Sequence, residues 1–256
     1  MNPGKFSRLI TFLILIFFYI PIFVVIMFSF NASKSPVWVG FSFMWYKELF
    51  TSSYTIWKAF LNSIIVAISA SFVATVLGTL GAIGLYWGKF KGKDYIWIIS
   101  YLPLIIPDII IGVSLLIFFV FIKMKLSLLT IFIAHVTFSL PYALMIVFSR
   151  LQDFEYSIIE AAYDLGATEE IALFKVIVPI SFPGILAAFF MSLTLSIDDF
   201  VITFFVAGPG STTLPLKIYS MIRFGISPTI NAISTLMLVG TIVMSIFMRK
   251  YLRYIF

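Results

Sequence analysis

Six runs of about 20 or more residues carry almost no charge, and no other feature limits the possible folds of this chain as much. They are Leu9 to Phe30, Ala59 to Trp87, Tyr95 to Ile122, Leu126 to Ser149, Ile180 to Val206 and Thr229 to Met248. A hydrocarbon core about 30 Å thick takes about 20 apolar residues of helix. Inside it every backbone N–H and C=O must be satisfied without water, which a helix does within one segment. The runs therefore predict six membrane-crossing helices. Composition agrees, with 62% hydrophobic and 11% charged residues, against about 45–50% and 25% in soluble domains. A soluble enzyme, a nucleic-acid binder and a disordered tail are excluded as the main reading. With no cysteine in the chain, a disulfide scaffold, a thiol nucleophile and a thiolate metal site are excluded as well.

The first run follows Lys5 and Arg8 and is too long for the apolar core of a cleavable signal. It reads as an anchored helix, although Asn31-Ala32-Ser33 hints at a cleavage site. With the N-terminus inside, Lys5, Arg8, Lys89, Lys91, Lys93, Arg150, Lys175, Arg249, Lys250 and Arg253 face the cytoplasm. That is ten of the 17 basic residues, a bias in the direction of the positive-inside rule. Lys123 and Lys125, in a short outer loop, run against it. Both termini are thus expected inside. The whole chain, 1–256, reads as one transmembrane domain. The pieces between spans are too short for a catalytic domain, so energy must come from a partner or an ion gradient.

Ala70, Ala74, Gly78 and Ala82 recur every four residues in the second run, a ridge of small residues that lets two helix backbones approach. His135, the one histidine, lies mid-span. Without a nucleophile turn or a second ligand it makes neither a hydrolase nor a metal site. It is expected to hydrogen-bond between helices or to line a polar cavity. No catalytic and no metal-binding residues are expected.

The inner segment between the fourth and fifth runs holds eight of the 28 charged residues. Ser157 and Glu160 have the spacing of a capping box, and Ile158, Ala162 and Leu165 share one face of the helix it would start. Gly166 is placed to end that helix and Thr168 to cap another, with Glu169 and Glu170 in its first turn. The spacing predicts a pair of short helices at the inner membrane surface, over 152–178, leading through Pro179 into the fifth span.

Glu160-Ala161-Ala162, Gly166, Val176, Val178 and Pro179 resemble the EAA motif of the membrane subunits of type I ABC importers, with Val at two positions of the motif's aliphatic end. The likeness extends through Ser29-Phe30-Asn31, Gly40-Phe41, Trp45-Tyr46, Pro107-Asp108-Ile109, Leu195-Ser196-Ile197-Asp198-Asp199, the string Leu214 to Met221, and Ser227-Pro228. As a set these resemble the permease subunits of spermidine/putrescine importers. The resemblance implies an all-α bundle of the MetI-like kind, with six spans and a cytoplasmic coupling helix between spans four and five, in a bacterial plasma membrane. It implies four sorts of partner: a homologous second permease, two cytoplasmic ATP-binding subunits, an extracytoplasmic polyamine-binding protein and the lipid bilayer. It implies no nucleic acid and no cofactor in this chain, ATP and Mg belonging to the ATPase. The lack of a GxxxxGK[ST] loop fits that division. Coupling would fall to Glu160, Ala161, Ala162, Gly166, Glu169 and Pro179.

Three carboxylates, Asp108, Asp198 and Asp199, fall inside spans that contain no Lys or Arg. Such groups cost about 2.5 to 3.5 kcal/mol each and are normally paired or functional. They suit a ligand that brings several ammonium groups. Adjacent helical residues project about 100° apart, so Asp198 is expected to face the substrate while Asp199 packs on a neighbouring span or partner. Ser196 lies in the same string. The competing readings are pairing with a basic residue of a partner and, for Asp108, capping of backbone broken near Pro103 and Pro107. Among the many outer aromatic residues, Trp45 and Tyr46 are candidates for cation-π contact with an alkylammonium. The functional alternatives are an ABC permease for another small solute and a gradient-driven cation carrier using Asp198, Asp199 and His135.

Overall fold

A computed structural model describes residues 3–35, 37–153, 157–224 and 228–252; side chains are described for 7–35, 37–153, 157–223 and 228–243. Ser227 and Arg253 fall outside the described residues, as do the side chains of Lys5, Arg249 and Lys250.

Twelve helices follow one another among the described residues: α1 Pro3–Phe28, α2 Met44–Ser52, α3 Tyr54–Trp87, α4 Lys93–Ile105, α5 Asp108–Phe121, α6 Leu128–Gln152, α7 Ser157–Asp164, α8 Glu169–Ala172, α9 Val178–Asp198, α10 Val201–Val206, α11 Leu214–Phe224 and α12 Thr229–Leu252. A π-helical stretch, Leu173–Ile177, joins α8 to α9. Four helices are long and apolar enough to cross a membrane: Ser7–Phe28, Tyr54–Trp87, Leu128–Gln152 and Glu169–Asp198. Of α12, the stretch Thr229–Val243 is a shorter apolar helix.

The third run departs from the expected single helix. It forms α4 and α5, bent by 109°. Pro107 is the cause: it has no N–H to continue the ladder and forces the residue before it out of the helical region, so Ile106 is extended at ψ 130°. The fifth run is broken too, at Asp199 and Phe200, where Asp199 turns extended at ψ 123° before α10 begins.

The chain divides into two compact units, one of residues 1–57 with 218–256, the other of 58–217. In the first, α12 packs on α1 and α2, and the outer segment folds around Asn31. Its side chain donates to the carbonyls of Ser35 (3.2 Å) and Val37 (2.9 Å) and accepts from the Val39 N–H (2.9 Å). The Asn31 carbonyl takes the indole N–H of Trp45 at 2.6 Å. A turn with that many committed groups on one asparagine leaves it buried and satisfied.

In the second unit α6 packs lengthwise on α9, and α5 on α10. The small residues of α3 do the close packing their spacing suggests: Ala70, Ala74 and Ala82 are buried. A Cβ placed on Gly78 would stand 2.8 Å from both the Ala143 Cβ and the Leu144 backbone nitrogen. No larger residue fits there without displacing backbone.

Candidate functional site

The break in the fifth span is built by side chains. Asp199 accepts from the Ile202 N–H at 3.2 Å, the Thr203 N–H at 2.8 Å and the Thr203 hydroxyl at 2.7 Å. The first two are orphan donors at the start of α10, which a carboxylate just upstream satisfies in the manner of a cap. From α6, His135 places Nε2 2.9 Å from Thr203 Oγ1 and 3.3 Å from Asp199 Oδ2. Its Nδ1 lies 2.6 Å from Ser196 Oγ on α9. Because the Thr203 proton is given to Asp199, Nε2 must carry the hydrogen that Thr203 accepts, and in the neutral ring the Ser196 hydroxyl donates to Nδ1. His135 is 1% exposed, and the Asp199 side chain 8%. One imidazole thus holds both sides of the break, α9 through Ser196 and α10 through Thr203.

Asp198, the last residue of α9, is exposed and makes no hydrogen bond or ion pair among the described residues. The two neighbouring carboxylates separate because Asp198 ends the helix and Asp199 is extended, one lying outward and the other against a facing span. Asp108 is exposed as well, in the first turn of α5, where the helix dipole favours an anion. Gly112 of α5 packs against Ile202 and Phe205 of α10. Asp108 lies four residues before Gly112, and Asp198 four before Ile202.

Trp45 and Tyr46 belong to the first unit and are organised differently from an open cation surface. Trp45 is 1% exposed, with its N–H committed to Asn31 and the Lys34 ammonium 6.0 Å from its ring centroid. Tyr46 shares a hydrogen bond of 2.7 Å with Ser29 and packs beside Phe30 and Phe43. The exposed rings of this segment are Trp38, Phe41, Phe43, Phe50 and Tyr54.

On the inner segment, Ser157 is itself helical, within α7, rather than the cap expected of it. Gly166 ends the helix at φ +84°, with the N–H of Gly166 bonded to Tyr163 O (2.8 Å) and that of Ala167 to Ala162 O (3.0 Å). That is a Schellman closure, for which a residue without Cβ suits the left-handed position. Thr168 caps α8 through Ile171 at 3.4 Å. The expected apolar face is corrected in one respect. Ile159, not Ile158, is buried with Leu151 and Ile177, while Ile158 is exposed and Leu165 is 89% exposed. Glu160, Ala161, Glu169 and Pro179 are exposed, and Ala162 half-buried.

Sequence reading placed Asp199 near a neighbour but missed which one; the signal was a lone mid-span His with no basic residue in any span. It also missed Asn31 as the organiser of the outer turn.

With this geometry in place, comparison with known proteins is informative. Residues 74–253 match the family described as the binding-protein-dependent transport system inner membrane component. The chain is 39% identical to the spermidine/putrescine transport system permease protein PotC of Escherichia coli K12 over 90% of its length and 87% of the relative's. It is 40% identical to the putrescine transport system permease protein PotI of the same organism, over 87% and 82%. The fold superposes on a bacterial ABC transporter involved in the import of the acidic polysaccharide alginate with a TM-score of 0.77, at 14% identity, over 97% of this chain and 95% of that one. The chain belongs to the family of binding-protein-dependent transport system inner membrane components, the multi-pass permease subunits of ABC importers.

Proposed function

We propose that this permease imports polyamines, forming half of a translocation path with a homologous second permease. An extracytoplasmic binding protein would deliver the polyamine, and two cytoplasmic ATPase subunits would hold ATP and Mg. What carries the reading is the charge arrangement at the helix breaks. Asp108 and Asp198 are exposed carboxylates in apolar spans, and neither has a partner cation among the described residues. A ligand with several ammonium groups supplies the missing charge; an anionic solute would be repelled. The names of the relatives, spermidine/putrescine and putrescine permeases, support the same substrate class.

On this reading both termini are cytoplasmic. The segment 152–178 is the coupling element: α7 carries Glu160, Ala161 and the exposed Ile158 toward an ATPase. Gly166, Glu169 and Pro179 connect its motion to α9, which Glu169–Asp198 continues as one long helix. Ser196 acts in the path indirectly, through its bond to His135.

The test is uptake of labelled spermidine and putrescine into vesicles, with and without ATP and the partner subunits. Uptake is expected only with both. ATP-driven uptake of a different solute that excess polyamine does not suppress overturns the substrate. Uptake that persists without ATP or partners and collapses with a protonophore establishes a gradient-driven carrier instead.

A further inference from the structure

We infer that His135 is a positioning residue for the path: by bonding Ser196 on one side of the span-five break and Thr203, beside Asp199, on the other, it holds α10 at the angle that leaves Asp198 uncovered. The inference rests on the polyamine reading for its functional consequence, though not for its geometry. Four groups close the cluster, each at least nine-tenths buried by residue or side chain: His135 from α6, Ser196 from α9, Thr203 from α10 and Asp199 between them. Asp199's own capping bonds reach only forward, to Ile202 and Thr203, whereas His135 bonds residues on both helices.

Asp199 sets the start of α10 and makes no side-chain hydrogen bond to α9, so its bonds do not tie the two helices together; α9 is otherwise held by its packing along α6. His135 supplies the missing restraint because imidazole is rigid and its two nitrogens point to opposite sides, so a bond at each fixes Ser196 and Thr203 relative to one plane. The plane itself is fixed by α6, where the ring packs edge-on against Phe138 at 5.2 Å. Asp198 ends α9 immediately before the break, so a change in the direction of α10 at positions 199–200 changes how far α10 covers its carboxylate. Among the described residues Asp198 makes no hydrogen bond or ion pair that would resist this.

The chain has no cysteine, so a single introduced thiol reports its own exposure. Asp198→Cys is labelled with a cationic methanethiosulfonate in native membranes, with Thr194→Cys as the reference. Thr194 is exposed on the same helix one turn earlier, before the break. Adding His135→Phe, which keeps a ring and removes both nitrogens, is expected to change the Asp198→Cys labelling rate at least fivefold and leave Thr194→Cys within twofold. His135→Gln, which keeps a donor and an acceptor, should restore part of the difference. General unfolding would change both thiols together, and that outcome also overturns the inference. Thr203→Val gives a second route that spares the ring: it removes the hydroxyl between His135 and Asp199 at equal volume. If His135→Phe inserts and leaves Asp198→Cys labelling within twofold, or fails to insert and Thr203→Val leaves it so, His135 is not the positioning residue. In uptake, His135→Phe should raise the polyamine concentration for half-maximal transport more than it lowers the maximal rate. A labelling change in a protein that imports no polyamine would leave the positioning intact and sink only the substrate reading.

Discussion

An ionised carboxylate at membrane depth costs about 2.5 to 3.5 kcal/mol. Asp199 offsets that with two backbone donors and a hydroxyl, with the His135 ring 3.3 Å away, whereas Asp198 beside it is left open. Substitution by Asn should therefore have different effects at the two positions. Asn keeps the size of Asp198 but removes its charge, whose attraction for an ammonium at 4 Å is about 1 to 4 kcal/mol between bulk-water and protein-surface dielectric values. Uptake by Asp198→Asn is expected to fall tenfold or more, with thermal stability and ATP turnover of the assembled complex unchanged. Asp199→Asn instead turns an amide N–H toward groups that donate, which leaves buried donors unpaired at about 1 to 3 kcal/mol. Its melting temperature in detergent should drop, and transport should fall through loss of the fold. Normal uptake by Asp198→Asn with selective loss of charge-dependent transport in Asp199→Asn would reverse the roles; normal uptake by both and by Asp108→Asn would remove the carboxylate path altogether.

Among the elements, the inner helix pair depends most on local rules. A terminating glycine and a first-turn acid for α7, and a threonine cap and first-turn acids for α8, act within short stretches of chain. Proline holds φ near about −65°, far from the +84° of Gly166, so Gly166→Pro destroys the turn between the two helices. Glu160→Ala removes a charge from the exposed first turn of α7. Both variants are expected to insert at parental abundance; transport should drop at least tenfold for Gly166→Pro and several-fold for Glu160→Ala. Normal ATP-driven uptake by purified complexes of both would remove the coupling role. The apolar helices were legible as elements because twenty uncharged residues have one solution in lipid. The break positions were less legible. Pro107 announces one of them, but the fifth span contains no proline near Asp199, and there the break is stabilised by side chains brought from another helix.

For the whole molecule, the orientation proposed above is a statement about which loops meet water on which side. Thr51, Lys91 and Lys123 are all exposed. In intact cells an impermeant maleimide should label Thr51→Cys and Lys123→Cys, and should reach Lys91→Cys only after permeabilisation. The opposite pattern inverts the topology. Labelling of Lys91→Cys and Lys123→Cys from the same side would mean that the bent pair α4 and α5 does not cross the membrane. Sequence alone determined the all-helical membrane class, the short inner helix pair and the kinship with importer permeases, because hydrocarbon thickness, capping and motif spacing act over short stretches of chain. Tertiary structure decided which carboxylate is free and which is bound. That depends on His135, which lies 64 residues before Asp199 and reaches it only when α6 packs along α9, and hydropathy does not encode the direction in which a side chain points once helices pack.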